Sequence, residues 1–263
     1  LRLCKEKSDA CVTNVAEGID MLKSFDAPLN VLVMGASGGL GSAFCDILRG
    51  HPDIGELVTV ARSDSKGAVD MVCDITDEVA LQKAAQRLEA QAPFHLIINS
   101  TGLLHDRQQG IAPEKSLAQI DAAAMARVLQ VNAIGPALVC KYFVPLMAKQ
   151  GKAVMAHLSA RVGSISDNQL GGWYSYRAAK AAQNMIVKTA ALETARRHKN
   201  KLIIGLHPGT VATDLSAPFQ SSVAPKKLFT AEQSATYLLQ VIDTLTAADN
   251  GHVLAFDGQR VPA

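Results

Sequence analysis

Four apolar residues, Val31-Leu32-Val33-Met34, run without a break into Gly35-Ala36-Ser37-Gly38-Gly39-Leu40-Gly41 and then into a helical stretch. A strand, a glycine turn and a helix in that order leave few folds open, because such a strand is buried on both faces and its neighbours run parallel to it. The rest of the chain keeps the same alternation. Short apolar runs predict strands at Asn30–Met34, Glu56–Ala61, Val69–Cys73, His95–Asn99, Lys152–Leu158, Leu202–His207 and His252–Phe256, and helical spacing predicts helices at Gly39–Arg49, Asp77–Gln91, Asp121–Lys149, Tyr174–Arg197 and Thr230–Leu245. Thr76 and Thr230 are the expected N-caps. The expectation is an α/β fold: one doubly wound parallel sheet of about seven strands flanked by helices, filling residues 29–263 as a single domain.

Composition narrows the partners. Hydrophobic residues make up 48% and charged residues 19% of the 263, which excludes disordered, collagen-like and coiled-coil chains. The net charge is +2 with no dense Lys/Arg cluster, so no nucleic-acid or membrane partner is expected and a small molecule is. No uncharged apolar run reaches the length of a membrane span. Cys4, Cys11, Cys45, Cys73 and Cys140 are odd in number and widely spaced, without metal-ligand spacing, which predicts reduced thiols, no metal and a cytoplasmic location. Residues 1–28 carry Arg2, Lys5, Glu6, Lys7, Asp9, Glu17 and Asp20 and read as an extension before the domain, with Met21 as a candidate natural start, rather than as a signal or transit peptide.

The glycine turn is the first candidate site. Glycines let backbone N–H groups approach a dinucleotide pyrophosphate at a helix N-terminus, so Gly35, Ser37, Gly39, Leu40 and Gly41 are expected to line it, with the spacing G-x-x-x-G-x-G. The same residues satisfy G-x-S-x-G, the nucleophile elbow of an esterase with Ser37 as nucleophile. Its place on the first strand, with no acid–histidine pair marked out downstream, speaks against that alternative. The second strand ends at Ala61-Arg62-Ser63 with no carboxylate for a ribose 2′-OH. Arg62 could meet a 2′-phosphate instead, which favours NADP(H) over NAD(H). Asp74, followed by Ile75, either meets the adenine or organises a turn. Asn99-Ser100-Thr101-Gly102 either closes a sheet edge or presses backbone on the cofactor.

Tyr176-Arg177-Ala178-Ala179-Lys180 places a phenol and an amine one helical turn apart on one face. A tyrosine acting as general acid/base near neutrality needs a pKa roughly 3 units below its usual value, worth roughly 4 kcal/mol, and a nearby ammonium is a sensible contributor. Tyr174 lacks that partner, because Ala178 stands four residues on. His157 reads as a neutral interior histidine, and Asn132 alone as a satisfied polar residue in a helix. His207 stays ambiguous, and His105 and Asp106 either border the cofactor or are solvated.

Taken in order, Gly35-x-x-x-Gly39-x-Gly41, Asp74, Asn99-Ser-Thr-Gly102, Asn132, Ser159, Tyr176-x-x-x-Lys180 and Pro208-Gly209 resemble the short-chain dehydrogenase/reductase family over about Asn30–Asp257. Ser159 to Ile165, Gly172 to Tyr176 and Leu206-His207-Pro208-Gly209-Thr210 are most similar to its C-factor and sniffer-type carbonyl reductase branch. The resemblance implies a Rossmann-like fold and NADPH-dependent reduction of a carbonyl compound to an alcohol. Tyr176 would exchange the proton, Lys180 would lower the Tyr176 pKa and hold the nicotinamide ribose, and Asn132 would anchor a relay water. Asn99, Thr101, Gly102, Pro208, Gly209, Thr210 and Thr213 would border the cofactor, with Asp74 and Ile75. The family commonly has Ser-Ser at the strand end with the second serine catalytic; this chain reads Ser159-Ala160, which makes Ser159 the first candidate and Ser164 the reserve. Phe219 and Trp173 are candidate apolar contacts to substrate, and the Pro/Ser-rich stretch between Asp214 and Thr230 reads as a loop over the site. A homo-oligomer is compatible with the family, and a catalytically weak nucleotide-binding signalling protein of the C-factor type is the alternative function.

Overall fold

A computed structural model of the chain describes residues 21–64, 69–222, 224 and 227–263. Seven strands, β1 (Leu29–Met34), β2 (Ile54–Ala61), β3 (Met71–Val72), β4 (Leu96–Asn99), β5 (Ala153–Leu158), β6 (Lys201–His207) and β9 (Val253–Ala255), form one parallel sheet in the order β3-β2-β1-β4-β5-β6-β9. The chain starts in the middle and winds outward both ways, so β1 and β4 flank the point where the order reverses. Ligands of such sheets bind there, beyond the carboxyl ends of the strands.

Alternation along each strand supplies two cores. Val31, Val33, Val154, Ala156, Leu158, Leu202, Ile204 and Leu206 face the layer of α1 (Gly39–Arg49) and α6 (Ala231–Thr244). Leu32, Met34, Ala153, Met155 and Ile203 face α2 (Glu78–Leu88), α4 (Gly135–Phe143) and α5 (Tyr174–Ala195).

The structure corrects several boundaries. Within residues 21–28, expected as part of an extension, Met21, Leu22 and Phe25 are buried in the α1/α6 core, and Lys152 Nζ donates to Ser24 Oγ (2.7 Å). The remainder of that extension, residues 1–20, lies outside the described residues, with Cys4 and Cys11. The third strand is shorter than expected because Asp70 turns its carboxylate onto β2, accepting from Thr59 N–H (2.8 Å) and Thr59 Oγ1 (2.7 Å). The N-cap of α2 is Asp77, which accepts from Ala80 N–H (3.0 Å), and not Thr76; Thr230 does cap α6, with Gln233 completing a capping box.

The helix expected over Asp121–Lys149 is broken into α3 (Ala122–Leu129), a π-helical turn at Gln130–Ile134 and α4, ending in a 3-10 turn at Val144–Leu146. Pro136 has no N–H to return to residue 132, and Gly135 N–H reaches back to Gln130 instead. By length and composition the run Ala122–Leu146 could cross a membrane; here Val139, Cys140 and Phe143 fill the core beside the sheet. The loop after β6 adds a pair of two-residue strands, β7 (Thr210–Val211) and β8 (Leu228–Phe229), and a 3-10 turn at Ala217–Ser222.

Candidate active site

At the end of β1, Gly35 adopts φ +80°, and a Cβ there would stand 2.8 Å from Ser100 Oγ and 3.0 Å from the Thr101 nitrogen. A Cβ on Gly41 would overlap the Gly35 carbonyl oxygen. The turn is thus pressed against the end of β4 with no room for a side chain. Gly38 is the N-cap of α1 and contributes no side-chain cap, and Ser37, Gly38 and Gly39 are exposed, so first-turn N–H groups are open to an anion. The cradle fits a diphosphate. Leu40 packs toward the core behind it, and the Thr213 side chain lies against Gly39 from the far side of the cleft. Ser37 has no histidine hydrogen-bonded to it among the described residues, which leaves the elbow reading without its base.

The wall at the end of β4 is internally braced. Asn99 Oδ1 accepts from Thr101 N–H (3.2 Å) and Thr101 Oγ1 (2.6 Å), which orients its amide and leaves Asn99 Nδ2 donating to His157 Nδ1 (3.2 Å). His157 Nε2 therefore carries the proton and faces Cys140 Sγ at 3.3 Å. Burial pushes His157 down to about 3 and the Cys140 thiol up to about 12, so both stay neutral. Gly102 follows, exposed, at the mouth of the cleft.

On the other flank, Arg62 is exposed at the end of β2. Asp74 serves its own turn, accepting from Thr76 N–H and Oγ1 at 2.8 Å each. Burial alone would raise its carboxyl, but those two bonds, with Arg127 and Arg62 nearby, hold it below the usual value. Ile75 is buried against Gly135 at the start of α4. Across the cleft Pro208 C=O accepts from Ser234 Oγ (2.8 Å), Gly209 lies under the Phe229 ring, and Thr210 pairs with Leu228 in the β7–β8 ladder.

Tyr176 and Lys180 lie on one face of α5, both buried, with the ammonium 5.7 Å from the centre of the phenol ring. The Tyr176 hydroxyl has no hydrogen-bond partner among the described residues. Burial raises its pKa, opposite to the lowering expected from Lys180, because the lysine is turned elsewhere. Lys180 Nζ donates to Leu158 C=O (2.8 Å) and Gln183 Oε1 (2.8 Å), and burial lowers it from 10.5 to about 7. Asn132 sits in the π turn with its side chain consumed. Nδ2 donates to Leu103 C=O (2.7 Å) and Val128 C=O (2.9 Å), and Oδ1 accepts from Leu103 N–H (3.1 Å). Both Nδ2 hydrogens are thus engaged, and Oδ1 accepts one bond.

Neither candidate serine meets Tyr176. Ser159 Oγ donates to Asn184 Oδ1 (2.6 Å) on α5, and Ser164 Oγ donates to Ala263 C=O (3.4 Å). Ala160, one residue on and therefore on the opposite side of the chain, packs against the cluster that contains Tyr176. Trp173 and Phe219 belong to the same cluster: their rings lie 4.9 Å apart, and Trp173 is 6.3 Å from Tyr176. His105 edges Phe219 at 6.2 Å, with Nε2 at 3.0 Å from Asp214 C=O. His207 Nδ1 is buried without a hydrogen-bond partner among the described residues, and burial lowers this imidazole to about 4. The sequence reading missed Gln183, although its spacing of three from Lys180 was a usable signal, and Glu114, for which no local signal existed.

A family model described as enoyl-(acyl carrier protein) reductase matches residues 43–258. The C-signal of Myxococcus xanthus is 35% identical over 147 residues, covering 56% of this chain and 83% of that protein. The carbonyl reductase Sniffer of D. melanogaster superposes with a TM-score of 0.77 at 22% identity, covering 89% of this chain and 99% of its own. An NADPH-bound carbonyl reductase from chicken fatty liver also gives 0.77 at 22% identity, over 92% and 97%. These two structures share the fold. With the family match spanning most of the chain and the motifs gathered at one end of the sheet, this chain belongs to the short-chain dehydrogenase/reductase family and is an oxidoreductase of that type.

Proposed function

We propose that this protein is an NADPH-dependent reductase of small-molecule aldehydes or ketones, in which Tyr176 donates the proton. The observation that carries the reading is Tyr176: a residue only 8% exposed, its hydroxyl without a hydrogen-bond partner among the described residues, with the Lys180 ammonium 5.7 Å from its ring centre, at the end of the sheet that holds the glycine turn. A reduced nicotinamide, when bound, supplies the hydride. Everything else is the work of this chain. The glycine turn and the α1 N-terminus hold the diphosphate, and Asn99, Thr101, Gly102 and Pro208 to Thr210 wall the cleft.

Burial keeps the Tyr176 proton in place at neutral pH, which suits a group that must give it to a carbonyl oxygen during reduction. Lys180, held by Leu158 C=O and Gln183, has a third N–H for a ribose hydroxyl in its protonated form. With Ala160 packed against the cluster that contains Tyr176 and the Ser159 hydroxyl engaged by Asn184, polarisation of the carbonyl rests on Tyr176 in this reading. Trp173 and Phe219 supply an apolar wall suited to a hydrophobic carbonyl substituent.

Preference for NADPH rests on Arg62 and on the absence of an acidic residue at the tip of β2, while an NADPH-bound structural neighbour supports a nicotinamide cofactor in general. The free thiols Cys45, Cys73 and Cys140 fit a reducing cytoplasm. The test is NADPH oxidation across a panel of aldehydes, ketones and quinones, with NADH in parallel and Tyr176→Phe as control. The variant is expected to bind NADPH normally and to turn over no carbonyl; retained activity in Tyr176→Phe overturns the assignment.

A further inference from the structure

The helix that carries Tyr176 and Lys180 begins without a cap of its own. Its N-cap residue, Trp173, has φ +53° and makes no side-chain capping bond, although a 22-residue helix leaves its first N–H groups in need of acceptors. Glu114, 61 positions before Ser175 and 5% exposed, supplies one of them. Its Oε2 accepts from Ser175 N–H (3.2 Å) and its Oε1 from Ser175 Oγ, while its backbone carbonyl accepts from Trp173 N–H (2.6 Å). One buried residue therefore fixes both the first turn of α5 and the left-handed residue just before it. Arg177 completes the clamp by donating from Nε to Gly172 C=O (3.0 Å).

What this clamp holds is the proposed reaction site. Trp173 forms the apolar wall with Phe219, and Tyr176 is the third residue of the helix whose start Glu114 defines. We propose that Glu114 is the positioning residue of this site, setting the Tyr176 hydroxyl and the Trp173 ring relative to the substrate, a role that rests on the carbonyl-reductase reading above. It touches neither substrate nor cofactor in this role. Its effect is exerted through geometry, and a displacement of order 1 Å at a reacting group can reduce turnover by about 100-fold.

The test uses the full chain and the variants Glu114→Ala, Glu114→Gln and Ser175→Ala, with NADPH and 4-nitrobenzaldehyde as substrates. Glu114→Ala is expected to lower kcat by about 10- to 100-fold with the Kd for NADPH unchanged, because the glycine turn is built from other elements. Glu114→Gln, whose amide oxygen still accepts from Ser175 N–H, restores most of the rate, and Ser175→Ala shows the same loss in smaller measure.

Trp173 is the only tryptophan in the chain, so intrinsic fluorescence reads its position without any turnover. In Glu114→Ala its emission shifts to the red and becomes more open to acrylamide, and in Glu114→Gln it stays like wild type. If Glu114→Ala does not fold, the other two variants decide. Equal losses of kcat and NADPH affinity, or wild-type kcat and fluorescence in all variants, overturn the proposal. Should wild type reduce no carbonyl at all, the reductase reading fails on its own account, while the fluorescence still decides whether Glu114 sets Trp173.

Discussion

Replacing Lys180 by methionine tests the electrostatics of the site without a substrate. Lys180 is 2% exposed, has two neutral acceptors and no carboxylate bound to it among the described residues, and burial brings it from 10.5 to about 7. Between those two pH values the unfolded chain holds a proton on this lysine and the folded protein does not. Stability therefore rises with pH across that window, and below pH 7, where both states are charged, the full penalty stands. A separation of roughly 3.5 pH units corresponds to a penalty of about 5 kcal/mol at most. Methionine fills the same space without a charge. It leaves Gln183 Oε1 unpaired, at a cost of about 1–3 kcal/mol, while Leu158 C=O keeps its bond from Gln183 Nε2 (3.2 Å). The expected net gain for Lys180→Met is about 2–4 kcal/mol at pH 6, shrinking as pH rises and reversing into a small loss near pH 10, with carbonyl turnover abolished. Urea unfolding of the cofactor-free protein at pH 6, 8 and 10 measures it. A variant less stable than wild type at pH 6, or a difference that does not change with pH, refutes the reasoning.

Three further outcomes follow from the geometry. Gly41→Ala drives a methyl into the Gly35 carbonyl, so it should destabilise at the upper end of about 1–3 kcal/mol and abolish NADPH binding; calorimetry and NADPH titration check both. Arg62→Ala should weaken NADPH by about tenfold and leave NADH unchanged, and equal effects on the two would remove Arg62 from 2′-phosphate recognition. Ser159→Ala should cost about 1 kcal/mol of stability through the lost bond to Asn184 and leave kcat intact, whereas Ala160→Ser should raise kcat; the reverse pattern in steady-state kinetics would return Ser159 to the catalytic role.

The elements that sequence reading found are those whose signal is local. Residues such as Val31–Met34 and Leu202–Leu206 are apolar throughout because both faces are covered, and Gly35 and Gly41 of the turn are required by contacts that a side chain could not tolerate. The pairing of Tyr176 with Lys180 survives as a shared helix face. What escaped depended on partners distant in the chain. Asp70 shortens β3 by bonding across to Thr59, and Ser159 is claimed by Asn184, 25 residues away, which no count of positions around the strand end could reveal. The π turn at Gln130–Ile134 lies between these cases: Gly135-Pro136 was visible, but its consequence for the Asn132 side chain depends on Leu103. Met21, Leu22 and Phe25 were passed over because charges around them masked three scattered apolar residues that the fold gathers under α1 and α6.

The two unexpected groups around Tyr176 have one physical meaning. A site with a second oriented hydroxyl can tolerate some play in the phenol, because the carbonyl oxygen is fixed by two donors. Here the residue packed against the Tyr176 cluster at the strand end is Ala160, which has no donor to offer. Orientation must then come from the frame: Leu158 C=O ties Lys180 to β5, and Glu114 ties the first turn of α5 to the loop after β4. Restoring a hydroxyl at residue 160 should therefore relax the dependence on Glu114, so that Glu114→Ala lowers kcat less in an Ala160→Ser background than in wild type. If the two substitutions combine without such coupling in a double-mutant cycle, the helix start and the missing hydroxyl act independently, and Glu114 does not substitute for the lost donor.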